Sequence, residues 1–266
     1  MKYAFMTFSK PEQTLEDLLA TAKRYGYDGV ELRIDSNHKH GLELSSTAEQ
    51  RAAAKQKVLD AGISICCIAT GCKFADPAAA PGSVEQARAA IDLAANVGAG
   101  VIRVFGGKIP EGVTRQQAMD TVVASLQSLG DPAAMRGVAV TIETHDDWCD
   151  PHQVATILQR VNHPNIGANW DYQHTTRVAK VSVDEAFAAL RFHIKHVHFH
   201  DGTLDADKLV FLPIGQGDYD NRRVIELLLQ ANYDGFLSGE WINWEPYDQH
   251  LPREIAAMRA LEALPG

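Results

Sequence analysis

The chain has 266 residues, 45% of them hydrophobic, and a formal net charge of −9. That length suits one large domain or two small ones with a sizeable core. The acidic balance, with no Lys/Arg block, argues against a nucleic-acid surface, and no apolar run reaches the ~18 residues that a membrane span needs.

From the N-terminus, short apolar runs alternate with helical patterns. The opening "MKYAFMTFSKPEQ" breaks at Pro11 and lacks the core of a signal peptide, so none is expected. Strand signals fall at Tyr3–Thr7, Gly29–Arg33, Ile63–Ala69, Val101–Phe105, Val138–Glu143, Ile166–Asp171, Ile194–His200 and Gly235–Glu240. A helix signal follows each: "TLEDLLATAKRYG", "STAEQRAAAKQKVLDAG", "SVEQARAAIDLAANVG", Thr114 to about Met135, Asp150 to about Val161, "SVDEAFAALRF", "NRRVIELLLQAN" and a last helix after Pro252. Ser or Thr with an acidic first turn marks several helix starts. Gly26, Gly62 and Gly98 mark helix ends. The strands are apolar and β-branched on both faces, as strands covered on both sides should be. Eight β/α units at about 30 residues each predict a (β/α)8 TIM barrel. A doubly wound sheet is the alternative, but no GxGxxG follows the first strand. With no linker-like stretch, residues 1–266 read as a single TIM-barrel domain. The four cysteines, Cys66, Cys67, Cys72 and Cys149, form no CxxC pair. They read as small core residues of a reducing compartment, so a cytoplasmic protein is expected.

In such a barrel, chemistry gathers at the C-terminal ends of the strands. Strand five ends "TIETHDDW", presenting Glu143; strand six ends "NWDYQH", presenting Asp171 and then His174; strand eight ends "SGEWINW", presenting Glu240. Strand seven reads "KHVHFHD", and alternation puts His196, His198 and His200 on one interior face. Three carboxylates and an imidazole suit a divalent ion such as Mn²⁺, Mg²⁺, Co²⁺ or Zn²⁺, with Mn²⁺ foremost. Spacing alone leaves His198 and His200 both open as the fourth ligand.

The phrases "TIET", "NWDYQH", "HVHFHD", "PIGQGDYD" and "GFLSGEW" resemble the xylose isomerase-like barrel family of sugar and sugar-phosphate isomerases and epimerases. The likeness covers the C-terminal half well and the N-terminal half mainly through rhythm and "YDGVELR". It implies that Glu143, Asp171, His198 and Glu240 hold the metal, that Glu143 and Glu240 also act as the acid/base pair, and that His174 meets substrate hydroxyls. Arg33 and Arg103, at the ends of strands two and four, could meet a substrate carboxylate or phosphate. His145, His200 and Trp241 join the candidate substrate-binding residues, while His196 reads as a hydrogen-bonded core histidine. All four tryptophans lie close to a proposed ligand, as sugar-facing walls or as plain filling of the mouth.

Removing a proton beside a carbonyl gives an enediolate, and a nearby cation stabilises its charge. The expected activity is therefore isomerisation or epimerisation of a small sugar or polyol ketone. The alternative is a lyase, a dehydratase or decarboxylase acting on a keto-inositol or keto-sugar acid. Family epimerases often carry an Arg just after the strand-seven ligand, and "HDGTLDADK" has none. A repair nuclease would need further histidines at strand ends three and four, where "CCIATG" and "RVFGGK" offer none. A non-catalytic sugar-binding barrel is a third possibility. The expected partner is a small sugar or keto-acid, with neither nucleic acid nor membrane; a homo-oligomer is compatible with the sequence.

Overall fold

Eight parallel strands close into a barrel in chain order, each hydrogen-bonded to the next and the last to the first. They are β1 (Lys2–Met6), β2 (Gly29–Arg33), β3 (Ser64–Lys73), β4 (Val101–Phe105), β5 (Ala139–Glu143), β6 (Ile166–Asp171), β7 (Ile194–Phe199) and β8 (Phe236–Gly239). The computed structural model describes residues 1–204 and 209–264. The fold is the single-domain TIM barrel that the alternation of elements predicts. The nine helices among the described residues are α1 (Leu15–Tyr25), α2 (Ala48–Ala61), α3 (Ala80–Val97), α4 (Arg115–Arg136), α5 (Pro151–Val161), α6 (Tyr172–Arg177), α7 (Val183–Leu190), α8 (Asn221–Gln230) and α9 (Tyr247–Ala263). A short antiparallel ribbon, Asp201–Gly202 with Phe211–Leu212, rises beyond β7.

Local sequence explains the helix ends. Thr14, Thr47 and Ser182 cap α1, α2 and α7 through backbone amides three residues on, and Thr47 forms a full capping box with Gln50. Gly26, Gly62 and Gly98 adopt the left-handed conformation that ends α1, α2 and α3. Three boundaries differ clearly from expectation: β3 runs on to Lys73, α3 starts at Ala80, and the last helix starts early. The last helix starts at Tyr247, with Pro252 inside it. A proline in the second turn forfeits only one intrahelical bond, so the helix need not wait for it.

The apolar residues divide into two sets. Outward-facing strand residues such as Val30, Leu32, Trp170, Val197 and Leu237 join the helices in one large core. Inside the barrel a small apolar group, Ala4, Cys66 and Cys67, forms the floor. The lumen also holds buried polar side chains, among them Glu31, Arg103, Thr141, Asn169, His196, His198 and Ser238. Strand register sets their level: Glu143 lies beside Asn169, Asp171 beside His198, and His198 beside Ser238, two residues before Glu240. All four cysteines are buried and unpaired, and no helix among the described residues is long and apolar enough to cross a membrane.

Candidate metal centre

Glu143 ends β5 and Asp171 ends β6, and Thr144 ties the two strand ends together. Its hydroxyl donates to the Asp171 carbonyl and accepts from the Asp171 amide, both at 2.9 Å. Asp171 also caps α6: Oδ1 accepts from the Gln173 and His174 amides at 3.0 and 3.1 Å, which leaves Oδ2 without a partner. His198 turns Nδ1 to the same place, 3.3 Å from Glu143 Oε1 and 3.1 Å from Glu240 Oε2. Donor atoms of Glu143, Asp171, His198 and Glu240 all lie within 4.8 Å of one another. The first three residues are buried, and the Glu240 side chain keeps 14% exposure.

This donor set fits a divalent cation. Glu143 Oε1, Asp171 Oδ2 and His198 Nδ1 are buried without a hydrogen bond, and atoms left so in a dry pocket are costly unless something charged satisfies them. Three carboxylate oxygens and one imidazole nitrogen match Mn²⁺, Mg²⁺, Co²⁺ or Zn²⁺. The buried charges also act strongly on one another. Burial by itself would raise the Glu143 carboxyl, but the Arg103 guanidinium and His198 overcome it and hold that group well below the usual carboxylate range. Burial would lower His198, yet Glu31, Glu143 and Glu240 push it well above an ordinary histidine. Burial raises the Asp171 carboxyl.

Of the other expected site residues, His145 and His174 stand together at the mouth, their rings 4.5 Å apart, with His174 Nε2 3.8 Å from Asp171 Oδ2. His200 is buried at the top of β7, with Nε2 3.9 Å from Asp171 Oδ2 and Phe211 packed edge-on to its ring. Burial, then the charges of His174 and His198, keep it well below the usual histidine range. Arg33 is half-buried. Its Nη1 donates to the Ile34 carbonyl and to the Ala69 carbonyl at 3.2 Å, and it forms no ion pair among the described residues.

Two residues take other places than expected. Arg103 is 1% exposed and engaged: Nε lies 3.0 Å from Glu143 Oε2, Nη1 donates to the Thr70 carbonyl at 2.8 Å, and the guanidinium covers Phe105. It backs a carboxylate of the centre instead of standing open to an incoming anion. Trp241 is also 1% exposed, folded back over Gly239, edge-on to Phe199 and stacked on Trp244. It supports the rim from behind, and it touches a hollow of about 540 Å³ between the loops after β1 and β8. Trp148 and Trp170 are fully buried, which leaves Trp244 as the tryptophan nearest the surface. The glycines of "FGGK" serve packing: a side chain on Gly106 would collide with the Trp148 indole.

Glu31 escaped the sequence reading. It is fully buried in β2, with Oε2 2.8 Å from His196 Nε2 and Oε1 3.2 Å from His198 Nε2. Burial would raise its carboxyl, but His198 and His196 hold it well below the usual range. The signal was present in "GVELR", where alternation puts Glu31 on the interior face with Arg33. Glu31, Cys66 and His196 also cluster as ligand types. Both Glu31 oxygens are already taken by imidazoles and the Cys66 thiol donates to the Val30 carbonyl at 3.4 Å, so that group reads as internal hydrogen bonding.

The xylose isomerase-like TIM barrel family model matches residues 19–263. The chain belongs to that family. Among curated relatives, the L-ribulose-5-phosphate 3-epimerase UlaE of Salmonella heidelberg is 27% identical over 82% of this chain and 78% of its own. An uncharacterised protein of Methanocaldococcus jannaschii is 26% identical, but the match spans only 59% of this chain and 56% of that one. Among solved structures, the probable 3-DHS dehydratase AsbF of Bacillus anthracis superposes with a TM-score of 0.79 at 22% identity, over 98% of both chains. At that identity the likeness speaks for the fold. The curated relatives thus include a sugar-phosphate epimerase, and a probable dehydratase shares the barrel fold.

Proposed function

We propose that this protein is a divalent-metal-dependent isomerase or epimerase of a small sugar or related polyol ketone. The observation that carries the reading is the convergence of Glu143, Asp171, His198 and Glu240 at the C-terminal mouth of the barrel, with Glu143 Oε1, Asp171 Oδ2 and His198 Nδ1 buried and without a hydrogen bond. Mn²⁺ is the expected ion. The bound cation supplies positive charge where negative charge develops on substrate oxygens.

The chain's own residues supply the rest. Glu143 and Glu240 approach His198 Nδ1 from strands five and eight, so a ketone held at the mouth would lie between two carboxylates able to take and return a proton. Arg103 keeps Glu143 ionised. Glu240, with its partial exposure, is the carboxylate that substrate reaches first. His174 and His145 line one side and offer hydrogen bonds to hydroxyls. His200, kept neutral by burial, can donate and accept there as well. Arg33, with no ion pair among the described residues, is a cation available to a substrate carboxylate or phosphate.

A lyase reading rests on the same first step, with loss of water or CO₂ instead of proton return. One observation favours keeping it: the lack of Arg in "HDGTLDADK", of which residues 205–208 lie outside the described residues. The deciding experiment is a panel of ketoses, keto-inositols and keto-acids incubated with Mn²⁺ in D₂O and followed by NMR and mass spectrometry. Deuterium at a single carbon with otherwise unchanged mass is expected. A product lighter by water or CO₂ selects the lyase, and no exchange with any ligand that binds leaves only a binding protein.

A further inference from the structure

The geometry points to Glu31 as a positioning residue for the metal centre, and to His196 as its anchor. This inference rests on the metal reading above.

His198 can face a cation with one ring nitrogen only. Nδ1 points toward Glu143 and Glu240, so Nε2 must carry the proton in the neutral ring if Nδ1 is to keep its electron pair free. An imidazole alone does not fix that choice. Glu31 Oε1 lies 3.2 Å from Nε2, and an ionised carboxylate can accept a proton but not donate one. It therefore selects the tautomer with hydrogen on Nε2 and holds the ring plane at the same time. Asn169 meets the same ring atom at 3.1 Å; an amide N–H there would need Nε2 as an acceptor, so the Nε2–H tautomer requires the amide turned over, with its otherwise unpartnered oxygen facing the ring.

Glu31 is itself held. His196 Nε2 lies 2.8 Å from its other oxygen, and the two imidazoles stand nearly perpendicular at 80°. All three side chains are at most 1% exposed, so no water competes for these hydrogen bonds. A fully buried carboxylate bonded through both oxygens fits positioning and not direct chemistry. It also gives the inward face of "KHVHFHD" a division of labour: His196 anchors Glu31, Glu31 sets His198, and His198 meets the cation.

The test is Glu31→Gln. An amide offers one acceptor and two donors, so it can serve one histidine only and presents N–H to the other. Mn²⁺ affinity, measured by isothermal titration on purified protein stripped of metal, should fall ~10–100-fold. In Mg²⁺-loaded protein with ¹⁵N-histidine, the downfield Nε2–H resonance of His198 should shift or vanish, whereas loss of packing alone would leave the tautomer as it was. A folded variant that binds Mn²⁺ like wild type and keeps that resonance overturns the relay while leaving the metal reading intact. Should Glu31→Gln not fold, His196→Leu takes its place, with a smaller loss expected; undiminished affinity there also overturns the relay. Wild-type protein that fails to bind Mn²⁺ overturns both readings together.

Discussion

Asp171 divides its oxygens between two tasks, capping α6 with Oδ1 and facing the centre with Oδ2. Glu143 is similarly constrained, by Arg103 on one oxygen and His198 on the other. Glu240 has no guanidinium partner and partial access to solvent, which makes it the residue whose loss should report most directly on chemistry. Glu240→Gln should lower kcat by about 10²–10⁴, the usual contribution of a general acid/base, with a folded barrel by circular dichroism; unchanged turnover would remove it from that role. At this scale the sequence narrowed the field without closing it. Alternation left both His198 and His200 facing inward. What separates them is level: His198 pairs in register with Asp171 and Ser238, whereas His200 lies past the end of β7 beneath Phe211.

Helix caps were legible because they are local: a Thr hydroxyl meets an amide three residues on whatever the rest of the chain does. The early start of α9 was not, because Pro252 looks like a boundary until its neighbours supply a turn before it. The rim loop after β7 depends on tertiary contact too. Asp201 is buried and accepts from the amides of Gly202 and Gly215 at 2.8 Å, Gly217 at 3.3 Å and Tyr219 at 3.4 Å. Gly217 has no Cβ because one would collide with that carboxylate. Removing the acceptor leaves several amides without a partner, at about 1–3 kcal/mol for each that water cannot reach. Asp201→Ala should therefore lower Tm and expose the segment around 213–219 to limited proteolysis. A variant as stable and as resistant as wild type would show that the loop is held by other contacts.

Across the whole molecule, four strand ends carry donors that the cation would join, so metal binding and barrel stability should be linked. A ligand at a hundredfold excess over its Kd stabilises by about 2.7 kcal/mol, which for a domain of this size is on the order of 5–10 °C in Tm. Mn²⁺ should raise Tm by that amount, chelator should reverse it, and Asp171→Asn should abolish it; a Tm indifferent to Mn²⁺ would argue against an ordered site. The amino-acid sequence by itself determined the alternation of strand and helix, the helix caps, the barrel that follows from eight repeats, and the donor types at strand ends five to eight. These are local patterns, fixed by periodicity and hydrogen bonding within a few residues. Only the tertiary structure decided that Glu31 reaches His196 and His198 across 165 and 167 residues of chain, that Arg103 meets Glu143, and that Trp241 turns away from the mouth. Closure of the barrel brings distant strands to one dry interior, and there each charge must find its partner in space, whatever its distance in sequence.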